Sequence, residues 1–298
     1  MKNILIIGCG LLGSSLLRRI QKKKIAKKIY IYEKSKANIL KIKKLRLPGI
    51  IVNKLQDGVI KSDLIILCTP MSEYKNLILK MNKFLSTKTI ITDIGSSKLE
   101  SSKIIKKFLR KGISWTSSHP ITGSEVSGPE HGKEDLFENK WCVLIKEKRT
   151  NQNHLIILNK FWKKIGSKVV SMTPKKHDRI FSITSHLPHL IAYNLVKSAQ
   201  DFEKKQNFDL IKFSAGGLRD FSRIAASNEI MWRDIFFNNS QNMRIAIDLF
   251  IKNLNSFKRD INSKNNKSIL KKLIQTKKVR TKIIKLKQDI NKPDFGRS

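Results

Sequence analysis

Short runs of consecutive apolar residues alternate with amphipathic stretches over the first half of the chain. Asn3-Ile4-Leu5-Ile6-Ile7 reads as a strand buried on both faces, and Leu11 to Lys22 as the helix after it. Lys28 to Glu33, Asp63 to Cys68, Thr89 to Asp93, Trp141 to Ile145 and Lys168 to Val170 read as further strands, and a helix is predicted near Ser97 to Lys111. Strands alternating with helices predict a doubly wound, mainly parallel sheet. After Thr173-Pro174 the period changes. Helical spacing covers 175–199, 207–213, 217–226, 229–255 and 266–288, with almost no strand-like run. The pattern therefore divides the chain near residue 172, into an α/β domain (1–172) and an all-α domain (173–298).

The turn after the first strand changes this picture from fold to chemistry. Gly8-Cys9-Gly10-Leu11-Leu12-Gly13 matches G-x-G-x-x-G between a strand and a helix. The first glycine permits a tight turn, the second lets the backbone approach a pyrophosphate, and the third allows close packing of helix on strand. The helix N-terminus then faces the phosphates. Glu33 lies twenty residues past Gly13, at the end of the second strand. A carboxylate there bonds ribose hydroxyls and repels a 2′-phosphate, which favours NAD, although Lys34 and Lys36 beside it leave NADP open.

Composition narrows the class. The chain has 298 residues, 40% hydrophobic and 28% charged, as in a globular protein of two domains. The N-terminal apolar run is interrupted by glycines, followed by Arg18-Arg19, and is too short to span a bilayer, so it reads as strand, turn and helix rather than a leader. The three cysteines, Cys9, Cys68 and Cys142, lie in or beside apolar runs without metal-ligand spacing, which fits reduced thiols in the cytoplasm. The net charge of +38 raises nucleic-acid binding as an alternative. Lysine is spread along every segment, however, without an aromatic-interleaved basic motif or a zinc finger. The expectation is salt-sensitive adhesion to polyanions, with no specific nucleic acid and no membrane as partner.

Other segments carry candidate side chains. Ser118 to Glu125 puts a histidine, hydroxyls and a carboxylate into what reads as a Pro/Gly-punctuated loop, where His119 can accept a proton from a hydroxyl. Asp93-Ile94-Gly95-Ser96-Ser97-Lys98 follows a strand and opens a helix. Ser96 or Ser97 is either its N-cap or, for Ser96, an orienting partner of His119. In Ser185-His186-Leu187-Pro188-His189 the proline kinks a helix, and His186 and His189 share a face, read as looking into a cleft. No third ligand supports a metal there. Asp220 and Arg223 lie three apart on a helix, either as a local pair or with the guanidinium free to clamp a carboxylate.

Taken in order, Gly8 to Gly13, Asp93 to Lys98, His119 to Glu125, His177-Asp178, Ser185 to His189, Gly216 to Ile224 and Met231-Trp232-Arg233-Asp234 carry a resemblance. Over nearly its whole length the chain resembles the prephenate/arogenate (cyclohexadienyl) dehydrogenase family of tyrosine biosynthesis. The closing Pro293 to Arg297 is similar to the tail of alphaproteobacterial members. Ser97 departs from the valine that many members carry.

The resemblance implies an NAD-binding Rossmann domain followed by a helical substrate and dimerisation domain, and a homodimer. It implies oxidative decarboxylation of prephenate to 4-hydroxyphenylpyruvate, with arogenate or dual specificity as the alternative. It makes His119 the catalytic histidine and Ser96 its partner. Ser124, Glu125, His186, His189, Asp220 and Arg223 would line the substrate site, Glu125 and Asp220 in an ionic network near Arg223. The cofactor would lie along Gly8, Gly10, Leu11, Leu12, Gly13, Glu33, Thr69 and Pro70. Neither a fused mutase nor a regulatory domain is expected. A 3-hydroxyacid type of dehydrogenase is disfavoured, because that family's Gly-rich substrate segment is missing and His119 is present.

Overall fold

The computed structural model describes residues 2–148, 150–207 and 209–289, so the Pro293 to Arg297 tail lies outside the described residues. It forms two compact units, Met1–Met243 and Arg244–Ser298. In order, the elements are β1 (Asn3–Ile7), α1 (Leu11–Lys22), β2 (Lys28–Tyr32), α2 (Lys36–Lys44), β3 (Ile50–Ile51), α3 (Leu55–Ile60), β4 (Leu64–Leu67), α4 (Tyr74–Met81), β5 (Ile90–Asp93), α5 (Leu99–Phe108), β6 (Ser114–Trp115), β7 (Ser118–Pro120), β8 (Trp141–Ile145), α6 (Gln152–Ile165) and β9 (Lys168–Met172). The helical part follows as α7 (Pro174–Phe181), a π-turn (Ser182–His186), α8 (Leu187–Gln206), α9 (Gly216–Ala225), α10 (Glu229–Asn238), α11 (Ser240–Asn262) and α12 (Asn266–Lys285).

Six parallel strands form one sheet in the order β3-β2-β1-β4-β5-β6. Alternate side chains of β1 enter opposite cores. Ile4 and Ile6 pack with Leu16, Ile20, Phe161 and Trp162, while Leu5 and Ile7 pack with Tyr74, Leu77, Ile91 and Trp232. A strand covered by helices on both faces reads as an unbroken apolar run, which is why this sheet is legible as sequence. The strand order reverses between β1 and β4, and the crevice at their carboxyl ends is where such sheets bind ligands.

The last strands do not extend that sheet. β7, β8 and β9 form a second one, with β7 antiparallel and β9 parallel to β8. Only Thr116 and Ser117 separate β6 from β7, too short a connection for a parallel crossover, so the chain leaves the first sheet there. His119 therefore stands on a strand, opposite Val143, and not in a loop as the proline and glycines suggest. Pro120 is tolerated because β7 is an edge strand.

The helical boundaries also differ from the periodicity. The single helix expected over 175–199 is α7, the π-turn and α8; Pro188 sits in the first turn of α8, where a missing N–H costs nothing. The expected helix over 229–255 breaks at buried Asn239. Among the described residues of the segment expected to be helical at 207–213, the helical element is a 3-10 turn, Ile211–Phe213. In the second unit, Asn265 caps α12, and Lys272 Nζ reaches Asp260 Oδ2 at 2.6 Å and Ser256 Oγ at 2.6 Å.

Candidate active site

The glycine loop has the geometry a dinucleotide needs. Gly8 has φ +88°, and a Cβ on it would meet the Cys68 carbonyl at 2.8 Å. A Cβ on Gly13 would lie 2.2 Å from the Gly8 carbonyl, so α1 can approach the loop only with glycine there. Nothing lies within 4 Å of the Cβ position of Gly10. Gly10 is also the N-cap of α1, with no side-chain cap and no acidic residue in the first turn. The first amides, Leu11 and Leu12 among them, are thereby left for a phosphate. Thr69 Oγ1, at the end of β4, is buried without a partner, and Pro70 beside it is exposed. An open cradle, uncapped amides and an orphaned hydroxyl together fit a bound pyrophosphate.

Glu33 completes this half of the site. Its Oε2 accepts from Cys9 N at 2.8 Å and its Oε1 from Ser35 N at 2.9 Å. The carboxylate is thus clamped at the end of β2 against the glycine loop. Lys34, the nearest candidate for a 2′-phosphate, is drawn to Glu73 at 2.5 Å.

His119 is brought to the same edge of the sheet. Ser118 Oγ donates to the Asp93 carbonyl at 2.7 Å and lies 3.0 Å from Thr92 Oγ1, which fixes β7 beside the carboxyl end of β5. His119 is 8% exposed. Burial, then the neighbouring His177, Lys98 and His186, push its pKa well below the ordinary histidine value. At neutral pH the imidazole is uncharged and able to act as a base.

Its partner is not the expected one. His119 Nδ1 lies 2.8 Å from Nε2 of His177, whose Nδ1 lies 2.7 Å from Asp178 Oδ1. Ser96 makes no hydrogen bond to the His119 ring in this structure; its backbone instead faces His186. Neither Ser96 nor Ser97 caps α5. Asp178 does so from α7, accepting from Lys98 N and Leu99 N, both at 2.8 Å. A carboxylate outcompetes a hydroxyl at a helix N-terminus because it carries the charge the terminus favours.

Beneath His119 lies an ion pair that the sequence did not suggest. Lys98 is fully buried, with Nζ 2.5 Å from Asp93 Oδ2 and 2.7 Å from the Ser118 carbonyl. Asp93 also accepts from Tyr74 Oη, Gly95 N and Trp115 Nε1. Burial opposes its charge, but Lys98, Ser117 and Trp115 outweigh burial and hold the carboxyl below its usual range.

The helical side supplies the remaining candidates unequally. His186 is fully buried and its Nδ1 accepts from Asn239 Nδ2 at 3.1 Å, so it packs in the interior rather than facing a cleft. Burial pushes its pKa down to about 4. His189, one turn on, is only half-buried. Its ring stacks on Trp232 at 3.8 Å, and its Nδ1 meets the Ser185 carbonyl at 3.0 Å, which leaves Nε2 as the nitrogen for a ligand. Asp234 Oδ2 accepts from Ser72 N at 2.9 Å and so ties α10, with Trp232 on it, to the turn after Pro70.

Arg223 on α9 is exposed and pairs with Glu125 at 3.3 Å, and Ser124 Oγ donates to the same carboxylate at 3.0 Å. The Glu125 backbone amide, Ser124 and Arg223 hold that carboxyl below its usual range. Asp220 lies one turn before Arg223 on α9, half-buried. Among the described residues, no group of three or more His, Cys, Asp or Glu could hold a metal, and no helix is long and apolar enough to cross a membrane.

Comparison with known proteins agrees with this arrangement. Residues 16–171 match the family model of the prephenate dehydrogenase nucleotide-binding domain, and residues 173–276 that of the prephenate dehydrogenase dimerization domain. A cyclohexadienyl dehydrogenase of Zymomonas mobilis is 32% identical over 279 residues, covering 94% of this chain and 95% of the relative. A prephenate dehydrogenase of Bacillus subtilis is 28% identical over 270 residues, covering 90% of this chain and 72% of its own length. The crystal structure of Aquifex aeolicus prephenate dehydrogenase with hydroxyphenyl propionate and NAD+ superposes with a TM-score of 0.88, at 32% identity over 95% of this chain and 98% of that one. A glycine cradle for a dinucleotide, an uncharged histidine at the sheet edge and both matched domains lead to one conclusion: the chain belongs to the prephenate dehydrogenase family.

Proposed function

We propose that the protein catalyses the NAD-dependent oxidative decarboxylation of prephenate to 4-hydroxyphenylpyruvate. The observation that carries this reading is His119: an imidazole kept uncharged by burial, tied through Nδ1, at the sheet edge next to the dinucleotide crevice. The glycine loop, Thr69 and Glu33 hold NAD, whose nicotinamide when bound accepts a hydride. Prephenate carries a ring hydroxyl, a ring carboxylate and a pyruvyl carboxylate. As the carbon bearing the hydroxyl turns carbonyl-like, His119 Nε2 accepts the hydroxyl's proton. The ring carboxylate departs as CO2, the electron pair of its C–C bond enters the ring, and the new phenol oxygen takes the proton back from His119; aromatisation drives the step, so positioning is the protein's main task. Arg223 and the free nitrogen of His189 bind carboxylate charge, the substrate taking the guanidinium donors that Glu125, itself held by Ser124, occupies in its absence. Ser96, at the turn before α5, contacts the substrate hydroxyl or nicotinamide rather than the His119 ring.

The test is the purified protein with NAD and either prephenate or arogenate, following NADH absorbance; activity with neither refutes the reading. The second reading, use of arogenate as well, is favoured by the Zymomonas relative, which is named a cyclohexadienyl dehydrogenase rather than a prephenate dehydrogenase. The clamp on Glu33 supports NAD over NADP. The expected ratio of kcat/KM is tenfold or more, about 1.4 kcal/mol, and Glu33→Ala should narrow it. Equal values in the wild type would remove Glu33 from cofactor choice.

The division of labour proposed is cofactor binding by residues 1–172, and substrate closure and dimerisation by 173–298, in a cytoplasmic enzyme. Leu270, Leu273, Ile274, Val279 and Ile283 of α12 are all exposed, with Ile269 and Ile284 half-buried, and no residue of that helix is buried. An apolar stripe on so basic a helix calls for a partner. A second copy is the occupant proposed, since the matched C-terminal model is that of a dimerization domain. Light scattering at moderate salt should give twice the chain mass. Deletion of 266–298 should weaken association, and a wild-type monomer at micromolar concentration refutes the dimer.

A further inference from the structure

The hydrogen bonds behind His119 form a directed chain whose far end is fixed by the backbone. Asp178 accepts two amides at the start of α5, Lys98 N at Oδ1 and Leu99 N at Oδ2. Amides only donate, so this carboxylate is an acceptor, at a helix N-terminus that favours its charge. His177 Nδ1, 2.7 Å from Asp178 Oδ1, must then carry a proton. A neutral imidazole protonated on Nδ1 has a bare Nε2. That Nε2 lies 2.8 Å from His119 Nδ1, so His119 donates from Nδ1 and its own Nε2 keeps the lone pair.

We propose that His177 and Asp178 are positioning residues which lock His119 in the tautomer whose Nε2 is a free base. The idea that this tautomer serves the reaction rests on the function proposed above; the tautomer itself does not. Asp178 thereby couples two tasks, since the carboxylate that caps α5 also sets the proton on His177.

The direction of the chain depends on His177 being neutral. A doubly protonated His177 would donate through Nε2 and reverse the bond, leaving His119 with its proton on Nε2 and useless as a base. Burial lowers the His177 pKa against the opposing pull of Asp178. The charged and titratable groups facing the pair are Asp93 and Lys98 from the β5–α5 connection, His186 from the π-turn and Cys142 from β8. Of these, Lys98 disfavours a further positive charge on His177, and Asp93 favours one more weakly. Phe181 packs against both rings, 4.5 Å from His177 and 5.1 Å from His119 between centroids, and His177 is fully buried, so water cannot offer His177 a different partner.

The deciding experiment is nitrogen NMR on the full chain with isotopically labelled histidine and no substrate, with His119 assigned by its loss in His119→Asn. His119 should show a protonated Nδ1 and an unprotonated Nε2. The opposite tautomer, or an even mixture, overturns the proposal. His177→Phe fills the space without an acceptor and should scramble the tautomer. Its kcat should fall about 10- to 100-fold, with KM for NAD and substrate changed by less than about threefold. His177→Gln restores an acceptor and should recover most of the loss. A folded glutamine variant as poor as the phenylalanine one overturns the proposal. If His177→Phe fails to fold, the wild-type spectrum and the glutamine variant decide. A wild type inactive on both cyclohexadienyl substrates refutes the function while the spectrum still judges the tautomer. An active wild type with Nε2 protonated refutes the positioning role alone.

Discussion

His119→Asn should lower kcat by about 10²- to 10⁴-fold, the usual range for loss of a general base. Asparagine keeps some hydrogen bonding toward His177 but cannot take a proton at neutral pH. KM for NAD should be little changed, because the glycine loop and Glu33 have no contact with this ring. The wild-type pH profile carries the same information. Burial, then the neighbouring His177, Lys98 and His186, depress the His119 pKa, so the base stays neutral, and activity persists, as pH falls through the ordinary histidine value of about 6.5. The acid limb should lie below that value. Stability shifts in the same sense. His186, pushed down to about 4, favours the fold fully above about 6.5 and loses that contribution as pH falls toward its folded value. Circular dichroism at each pH therefore has to accompany the rates. A His119→Asn variant with near-normal kcat, or an acid limb at 6.5 or above in folded protein, would remove His119 from the chemistry.

The cofactor half of this protein was legible because its constraints are local. A buried parallel strand is an apolar run, Gly13 has no alternative when its Cβ would lie 2.2 Å from a carbonyl, and Glu33 sits at a fixed distance along the chain. The substrate half depends on distant pairings that no spacing reveals. His177-Asp178 reads as an ordinary polar pair in the first turn of a helix. Only the fold brings His177 to His119, 58 residues away, and Asp178 to the start of α5, 80 residues away from Lys98. Ser96 and Ser97 were plausible caps by residue type, and a carboxylate from another helix displaced them. His186 and His189 share a helix face by spacing, yet one is sealed against Asn239 and the other stacks on Trp232. The break at Asn239 that creates the first contact falls within an uninterrupted helical period. The signal available for His177, Asp178 and Lys98 was that charged residues stand where burial is expected, and such groups are retained inside only when paired.

Arg223→Ala should raise KM for prephenate by about ten- to a hundredfold, with kcat less affected, if the guanidinium clamps a substrate carboxylate. The lower end is expected, because the side chain is 44% exposed and such contacts are weakened by water. Arg223→Lys keeps the charge but loses the planar fork, and should fall between. The structure supplies a competing account, since Arg223 pairs with Glu125 at 3.3 Å and could serve only to hold the segment after β7 against α9. The two accounts part at Glu125→Gln. If the pair is only a brace, removing either partner loosens the same contact, and Glu125→Gln should reproduce Arg223→Ala. If Arg223 is the clamp, Glu125 competes with the substrate for its donors, and Glu125→Gln should leave KM unchanged or lower it. KM for NAD should stay constant in all three variants, because the glycine loop owes nothing to α9. Salt should weaken prephenate binding in the wild type more than in Arg223→Ala, as an exposed charge pair is screened. A folded Arg223→Ala protein with normal KM for prephenate, or a Glu125→Gln variant equally impaired, would end the clamp and leave the brace.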